Sequence, residues 1–202
     1  MISPDAFVHE TAILDPGCRI ASGAKVWHFC HVRSGASIGR DVSLARDVYV
    51  DVDVPIGDAS RIQNGVSIYR GVVVGRCCFI GPHTIFTNDV VPRVGIRSWE
   101  VVPTTIENGA SLGAGAIVRC GVTVGAFALV GTGSVVTRDV PAFHMVHGLP
   151  ARPRQRICAC GKTQSPLDWP LGGVLNCCHE NLLPEVLAVA LAEERRMVRQ
   201  AA

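Results

Sequence analysis

A bulky apolar residue recurs at every sixth position from Val8 to Phe86, through Leu14, Ile20, Val26, Val32, Ile38, Leu44, Val50, Ile56, Ile62, Ile68, Val74 and Ile80. Four residues after each stands a smaller one: Ala12, Cys18, Ala24, Cys30 and Ala36, then Val, Ser, Cys or Thr as far as Val90. A period of six fits neither a helix nor a single strand, and it predicts an all-β solenoid of hexapeptide repeats. Three short extended segments joined by turns make one three-sided coil of eighteen residues. The first and fifth positions of each hexad point inward, where a large and a small side chain together fill a narrow prism.

The fourth hexad position supports the same register independently. It holds Gly17, Gly23, Gly35, Asp41, Asp47, Asp53, Gly65, Gly71 and Asp89, with Thr11, Phe29, Ala59, Cys77 and His83 as exceptions. Glycine, and less often Asp or Asn, accepts the positive φ of a tight corner. The repeat fails from Asp89 to about Thr105, then resumes at Ile106, Leu112, Val118, Val124, Val130 and Val136. Its corners return as Gly109, Gly115, Gly121, Gly133 and Asp139. The expectation is a β-helix domain over residues 1–152, with a loop at about 90–105 projecting from one face. An extension, 153–202, follows. It holds Cys158, Cys160, Cys177, Cys178 and His179, then an amphipathic helix from Pro184 to about Arg199, with Asn181 near its cap.

Counting in eighteens sorts outward residues onto three sides. The first carries His31 and Arg33, Tyr49 and Asp51, Ser67 and Tyr69, Ile85 and Thr87. The second, with Arg19, Ala21, Ser37, Gly39, Pro55, Gly57, Val73 and Gly75, is small and nearly chargeless, as expected where another backbone or a thin ligand arm approaches. The third carries Lys25, Trp27, Ser43, Ala45, Arg61, Gln63, Phe79 and Gly81. The first side is the expected site. His28, Asn64 and His83 stand at one of its edges, Arg70 and Asn88 at the other, and the loop with Asp89 and Arg93 begins there.

Composition narrows the function. A net charge of +2 across 202 residues gives no case for nucleic acid. With no long apolar run and no basic-then-apolar leader, the expectation is a cytoplasmic protein that does not engage membranes. Of nine cysteines, Cys18, Cys30 and Cys78 fall on inward small positions and read as core thiols.

The segments VWHFCHV (26–32), IQNGVSIY (62–69), IGPHTIFTND (80–89), GASLGAGAIVRCGVTVG (109–125) and VVTRDVPAFHMVHGLPAR (135–152) resemble the hexapeptide-repeat N-acetyltransferases of UDP-2-acetamido-3-amino-2,3-dideoxy-glucuronate and their nucleotide-sugar relatives. The resemblance spans about residues 5–160 and implies a left-handed β-helix, a homotrimer and acetyl-CoA bound between subunits. It places Asn88 near the acceptor amine, and Trp27, His28, Gln63, Asn64 and Tyr69, with His31 alongside, near the nucleotide sugar. Gly113, Gly131, Arg138 and Arg152 fall where CoA is expected. One departure stands out: relatives carry a Lys-Arg pair where this chain has Glu107-Asn108. The cluster Cys158, Cys160, Cys177 and His179 resembles a small zinc knuckle, although the usual two-residue spacing is missing. Structural zinc and free thiols are both open readings of it.

The implied reaction is direct attack of a sugar amine on the thioester. His83 is the candidate for accepting the amine proton, and a purely positioning role for it stands as the alternative. Another small amine or hydroxyl acceptor, and a non-enzymatic trimeric scaffold, are the competing functions. A carbonic-anhydrase-type metal site is excluded: His28 and His31 share a coil, and His83 lies about three coils away, ~14 Å at strand spacing.

Overall fold

The computed structural model describes residues 1–95, 100–164 and 182–201. It is a parallel β-solenoid of about 8 turns whose two-residue strands form three sheets. Partners stand eighteen apart, as in His31–Tyr49–Ser67 on the first side, Arg19–Ser37–Pro55 on the second and Lys25–Ser43–Arg61 on the third. The expected register therefore holds. Val26, Leu44, Ile62, Ile80, Leu112 and Val130 are fully buried, and the small partners Ala24, Cys30, Ala36, Ala110 and Ala116 lie between them. In the first coil Val8 and Leu14 stay half-exposed, because a coil buries its inward residues only once neighbours cover both sides.

The corners show how strongly the coil dictates its backbone. Positive φ occurs at the expected glycines and aspartates, and also at Phe29, Ala59, Cys77, His83, Phe127 and Phe143. Asp89 and Asp139 do not adopt it. The chain leaves the coil just after Asn88 and returns where Thr104 N–H bonds to the Gly71 carbonyl at 3.0 Å. Beyond the loop, Ile85 pairs with Ile117, so the stacking itself is unbroken.

The solenoid ends in an antiparallel hairpin, His144–Gly148 with Ala151–Ile157, that extends the third side. Helix α1, Pro184–Ala201, then lies along the corner between the second and third sides. Its Val189 and Ala190 pack on Phe127 and Phe143, whose rings stack at 5.3 Å. The thiols of Cys18, Cys30 and Cys78 are buried as expected, and burial pushes that of Cys78 up to about 12.

Candidate functional site

The corner between the third and first sides, here the histidine corner, gathers His28, Asn64 and His83, with Trp27 and Gln63 beside them on the third side. His83 is exposed there at φ 55, its N–H bonded to the Asn64 carbonyl at 3.0 Å. Its ring folds back over Gly65, where a Cβ would stand 2.5 Å from Nδ1. Phe29 holds the same backbone three coils up this corner, and Ala59 and Cys77 hold it at the corner between the second and third sides, so φ at His83 reflects the coil and carries no functional weight alone. Asn64 Oδ1 accepts the Arg46 N–H at 3.2 Å. Three coils above His83, the rings of Trp27 and His28 are parallel to within 5° with centroids 6.3 Å apart, His28 is stacked on His9 at 3.6 Å, and Phe7 stands against Trp27 at 5.0 Å.

Below, the third-side flank of this corner is bare. Gly81, Gly113 and Gly131 follow one another where the upper coils carry Trp27, Ala45 and Gln63. A Cβ at Gly113 would stand 2.6 Å from the Thr132 nitrogen, and one at Gly131 2.8 Å from the His147 Cβ. The chain's own next coil thus requires glycine, and the result is a stripe without side chains, Gly81 buried and Gly113 and Gly131 half-buried, that runs toward His147 and its hairpin partner Arg152. Arg138 lies apart, exposed on the corner between first and second sides.

That second corner holds Arg70 and Asn88, and the loop with Asp89 and Arg93 starts there. Asn88 is half-buried, its Nδ2 3.4 Å from the Arg70 carbonyl. The Arg70 guanidinium stands 4.0 Å from Asp53, Asp89 accepts the Val91 N–H at 2.8 Å, and Arg93 is exposed in the loop. His83 and Asn88 flank the strand Ile85–Phe86 from opposite ends. They stand at the two corners that bound the first side of one coil, His83 at φ 55 and Asn88 where the chain leaves for the loop.

The first side proves to be occupied with itself. His31 Nε2 lies 2.9 Å and Arg33 Nε 2.7 Å from the two oxygens of Asp15. Arg33 also donates to the Tyr49 hydroxyl at 3.1 Å, and Tyr49 donates to Asp51 at 3.0 Å. Hydrogen bonds from His31, then Arg33, hold the Asp15 carboxyl below its usual range. Burial pulls Asp51 upward, but the N–H groups of Val52 and Arg70 outweigh it and the net direction is down; burial raises the Tyr49 phenol. Tyr69 completes the row 6.1 Å from Tyr49. Arg33 and Asp51 were read as outward residues of this side, while Asp15 was not singled out, although alternating charge at steps of eighteen, Asp15, Arg33 and Asp51, signals this ladder.

The departure at Glu107-Asn108 finds its reason far along the chain. Asn108 Nδ2 donates to Glu193 of α1 at 2.8 Å, and Glu107 Oε2 accepts from Arg196 at 3.2 Å and from the Ala126 N–H at 2.9 Å. Arg196 also pairs with Glu193 at 2.8 Å. The pair anchors the helix. Cys158 is buried and Cys160 half-buried after the hairpin, while Cys177 and His179 lie outside the described residues. Among the described residues no three metal-ligating side chains converge, and no helix is long and apolar enough to cross a membrane.

A family model described as the hexapeptide repeat of succinyl-transferase matches residues 103–138. The chain is 35% identical over 158 residues, 78% of its length and 82% of the relative's, to the dTDP-3-amino-3,6-dideoxy-alpha-D-galactopyranose 3-N-acetyltransferase of Aneurinibacillus thermoaerophilus. Among solved structures it resembles a hexapeptide-repeat-containing acetyltransferase of Vibrio cholerae O1 biovar eltor, complexed with acetyl-CoA. The TM-score is 0.54 and the identity 27%, covering 60% of this chain and 70% of that one. A maltose O-acetyltransferase from Clostridium difficile 630, 20% identical with a TM-score of 0.54 over 61% of this chain and 70% of that one, shares the fold alone.

Proposed function

The chain belongs to the hexapeptide-repeat acetyltransferases, and from that premise we propose that it transfers the acetyl group of acetyl-CoA to the amine of a nucleotide-linked amino sugar. The observation that carries this reading is the identity, along most of both chains, with an enzyme acting on a dTDP-linked amino sugar. The layout of the histidine corner supports it, with an aromatic shelf above His83 and a bare glycine track below. Family membership also removes the inert-scaffold alternative.

In this mechanism the pantetheine arm lies on the track past Gly131 and Gly113, bringing the thioester to the level of His83. The amine nitrogen attacks the carbonyl carbon, a C–N bond forms, and collapse of the adduct breaks the C–S bond. Holding both reactants in attack geometry supplies ~7–11 kcal/mol of the barrier. His83, whose ring nitrogens meet no partner among the described residues, takes the proton lost by the amine, and the leaving thiolate is protonated in turn. Asn88 stabilises the developing oxyanion with its amide. Because the two side chains stand at opposite ends of one strand, each reaction centre combines His83 of one subunit with Asn88 of the next in a homotrimer.

The test is acetyl transfer, followed by thiol release, to UDP- and dTDP-linked amino sugars. Co-assembly of His83→Ala with Asn88→Ala then tests the shared centre. Random mixing of two inactive variants restores roughly a quarter of wild-type sites if the centre spans two subunits, and none if both groups act from one chain.

A further inference from the structure

The ladder on the first side reaches one step beyond its tyrosine. Asp51 Oδ1 accepts the Tyr49 hydroxyl at 3.0 Å and the Val52 N–H at 2.8 Å. Its Oδ2 accepts the Arg70 N–H at 3.1 Å, one coil below. Arg33 meets Asp51 through Tyr49, so Asp51 is the rung that joins the ladder to the corner between the first and second sides.

That corner carries both ends of the loop. The Arg70 carbonyl faces Asn88 Nδ2 at 3.4 Å where the chain leaves, and the Gly71 carbonyl accepts the Thr104 N–H at 3.0 Å where it returns. The Asn88 carbonyl in turn accepts the Val102 N–H at 3.3 Å, closing the loop at its base. Gly71 sits at φ +95, and a Cβ on it would run into Val101. With departure and return both resting on Arg70–Gly71, a shift of that dipeptide is carried to Asn88. The Arg70 side chain gives the corner little hold, being exposed with its guanidinium 4.0 Å from Asp53. Its backbone N–H is held by a carboxylate instead, and such charge-assisted bonds are roughly twice as strong as neutral ones.

We infer that Asp51 is a positioning residue for Asn88: by holding the Arg70 N–H it fixes the carbonyl on which the Asn88 amide rests, and with it the base of the loop. One N–H of Asn88 Nδ2 is then engaged by Arg70, and the other is left in a set direction for the oxyanion. Asp51 needs no contact with either reactant. The inference rests on the acetyl-transfer reading and on the part given there to Asn88, and it adds what holds that amide in place.

Kinetics with acetyl-CoA and UDP- or dTDP-linked amino sugars, set beside amide hydrogen exchange of the full chain, test it. Asp51→Ala is expected to lower kcat about tenfold, short of the ~100-fold that a misplacement of 1 Å can cause, with KM for acetyl-CoA within about twofold. Asp51→Asn, whose one oxygen can still accept the Arg70 N–H, should fall between that variant and wild type. In an Asn88→Ala background the Asp51→Ala change should cost less than about twofold, because groups that act as a unit are not additive. Exchange should quicken together at the Arg70, Val102 and Thr104 amides, while the Tyr49 amide, bonded to the Val66 carbonyl, keeps its protection. A wild-type kcat in Asp51→Ala, or full additivity with Asn88→Ala, overturns the inference. Faster exchange at Arg70 alone, or evenly along the whole solenoid, overturns it as well. If the wild-type protein acetylates no amino sugar, the acceptor reading fails, and the exchange pattern still decides whether Asp51 holds Asn88 and the base of the loop.

Discussion

The first and third sides of this solenoid are built on the same backbone and differ in whether their polar groups are spoken for. The first is the richer in charge, yet Asp15, His31, Arg33, Tyr49 and Asp51 satisfy one another across successive coils. The third has fewer polar groups, but Lys25 and Arg61 have no counter-ion among the described residues, and in its lower half the positions beside the histidine corner, Gly81, Gly113 and Gly131, are glycine. Polarity alone therefore does not locate a binding surface. A hydrogen-bonded ladder stiffens a face, while isolated cations leave donors for a ligand.

The contrast is breakable in order of expected effect. His83→Ala, on the edge where the sides meet, should lower kcat by roughly 100-fold, with little change in KM for acetyl-CoA. Arg33→Met, inside the ladder, should leave kcat within about twofold, since it removes a solvent-screened contact remote from the reaction. Equal losses from both would erase the distinction.

Gly113→Ala probes the bare track. Its new Cβ would press on the Thr132 nitrogen at 2.6 Å, so denaturant titration should register a loss of roughly 2–3 kcal/mol. Gly115→Ala has open space around it and meets only a φ of +66, for about 1–2 kcal/mol. Reversal of that order would mean the track is not set by coil-on-coil contact. At the helix corner, Arg196→Ala should leave activity intact and speed proteolytic loss of α1, because the Glu107 and Glu193 contacts go together.

The smallest effect is in acid. Asp15 titrates lower in the folded chain than in the unfolded one, where its pKa is ~3.9. Its stabilisation is present above that value and disappears as pH falls through the lower folded one. Asp15→Asn should therefore flatten the acid limb of the stability profile below about pH 4 and leave neutral pH little changed. An unaltered limb would mean the ladder contributes nothing measurable.

Much of the fold was legible because one constraint repeats. Six-residue spacing fixes which residues point inward, and counting in eighteens correctly stacks His31 on Tyr49 and Lys25 on Ser43. What escaped it is non-periodic. Glu107-Asn108 has meaning only through Glu193 and Arg196, some 85 residues on, and no local pattern announces that contact. The glycines of the second side read as room for a backbone or a ligand; the backbone is the next coil, since a Cβ at Gly57 would meet the Gly75 carbonyl carbon at 2.6 Å. The first side read as the site from its polar residues, and what sequence does not reveal is that several of them are one another's partners. Counting also put His83 and Asn88 at opposite edges of the first side, and the strand Ile85–Phe86 lies between them as expected.

The most direct measurement is thiol release from acetyl-CoA in the presence of UDP- or dTDP-linked amino sugars, set beside the matching sugars with a hydroxyl in place of the amine. The account predicts one thiol released per amide formed with at least one amino sugar, and no transfer to its hydroxyl counterpart. Acetylation of the hydroxyl sugars at comparable rates, or no amide from any amino sugar under conditions where acetyl-CoA binds, would contradict it.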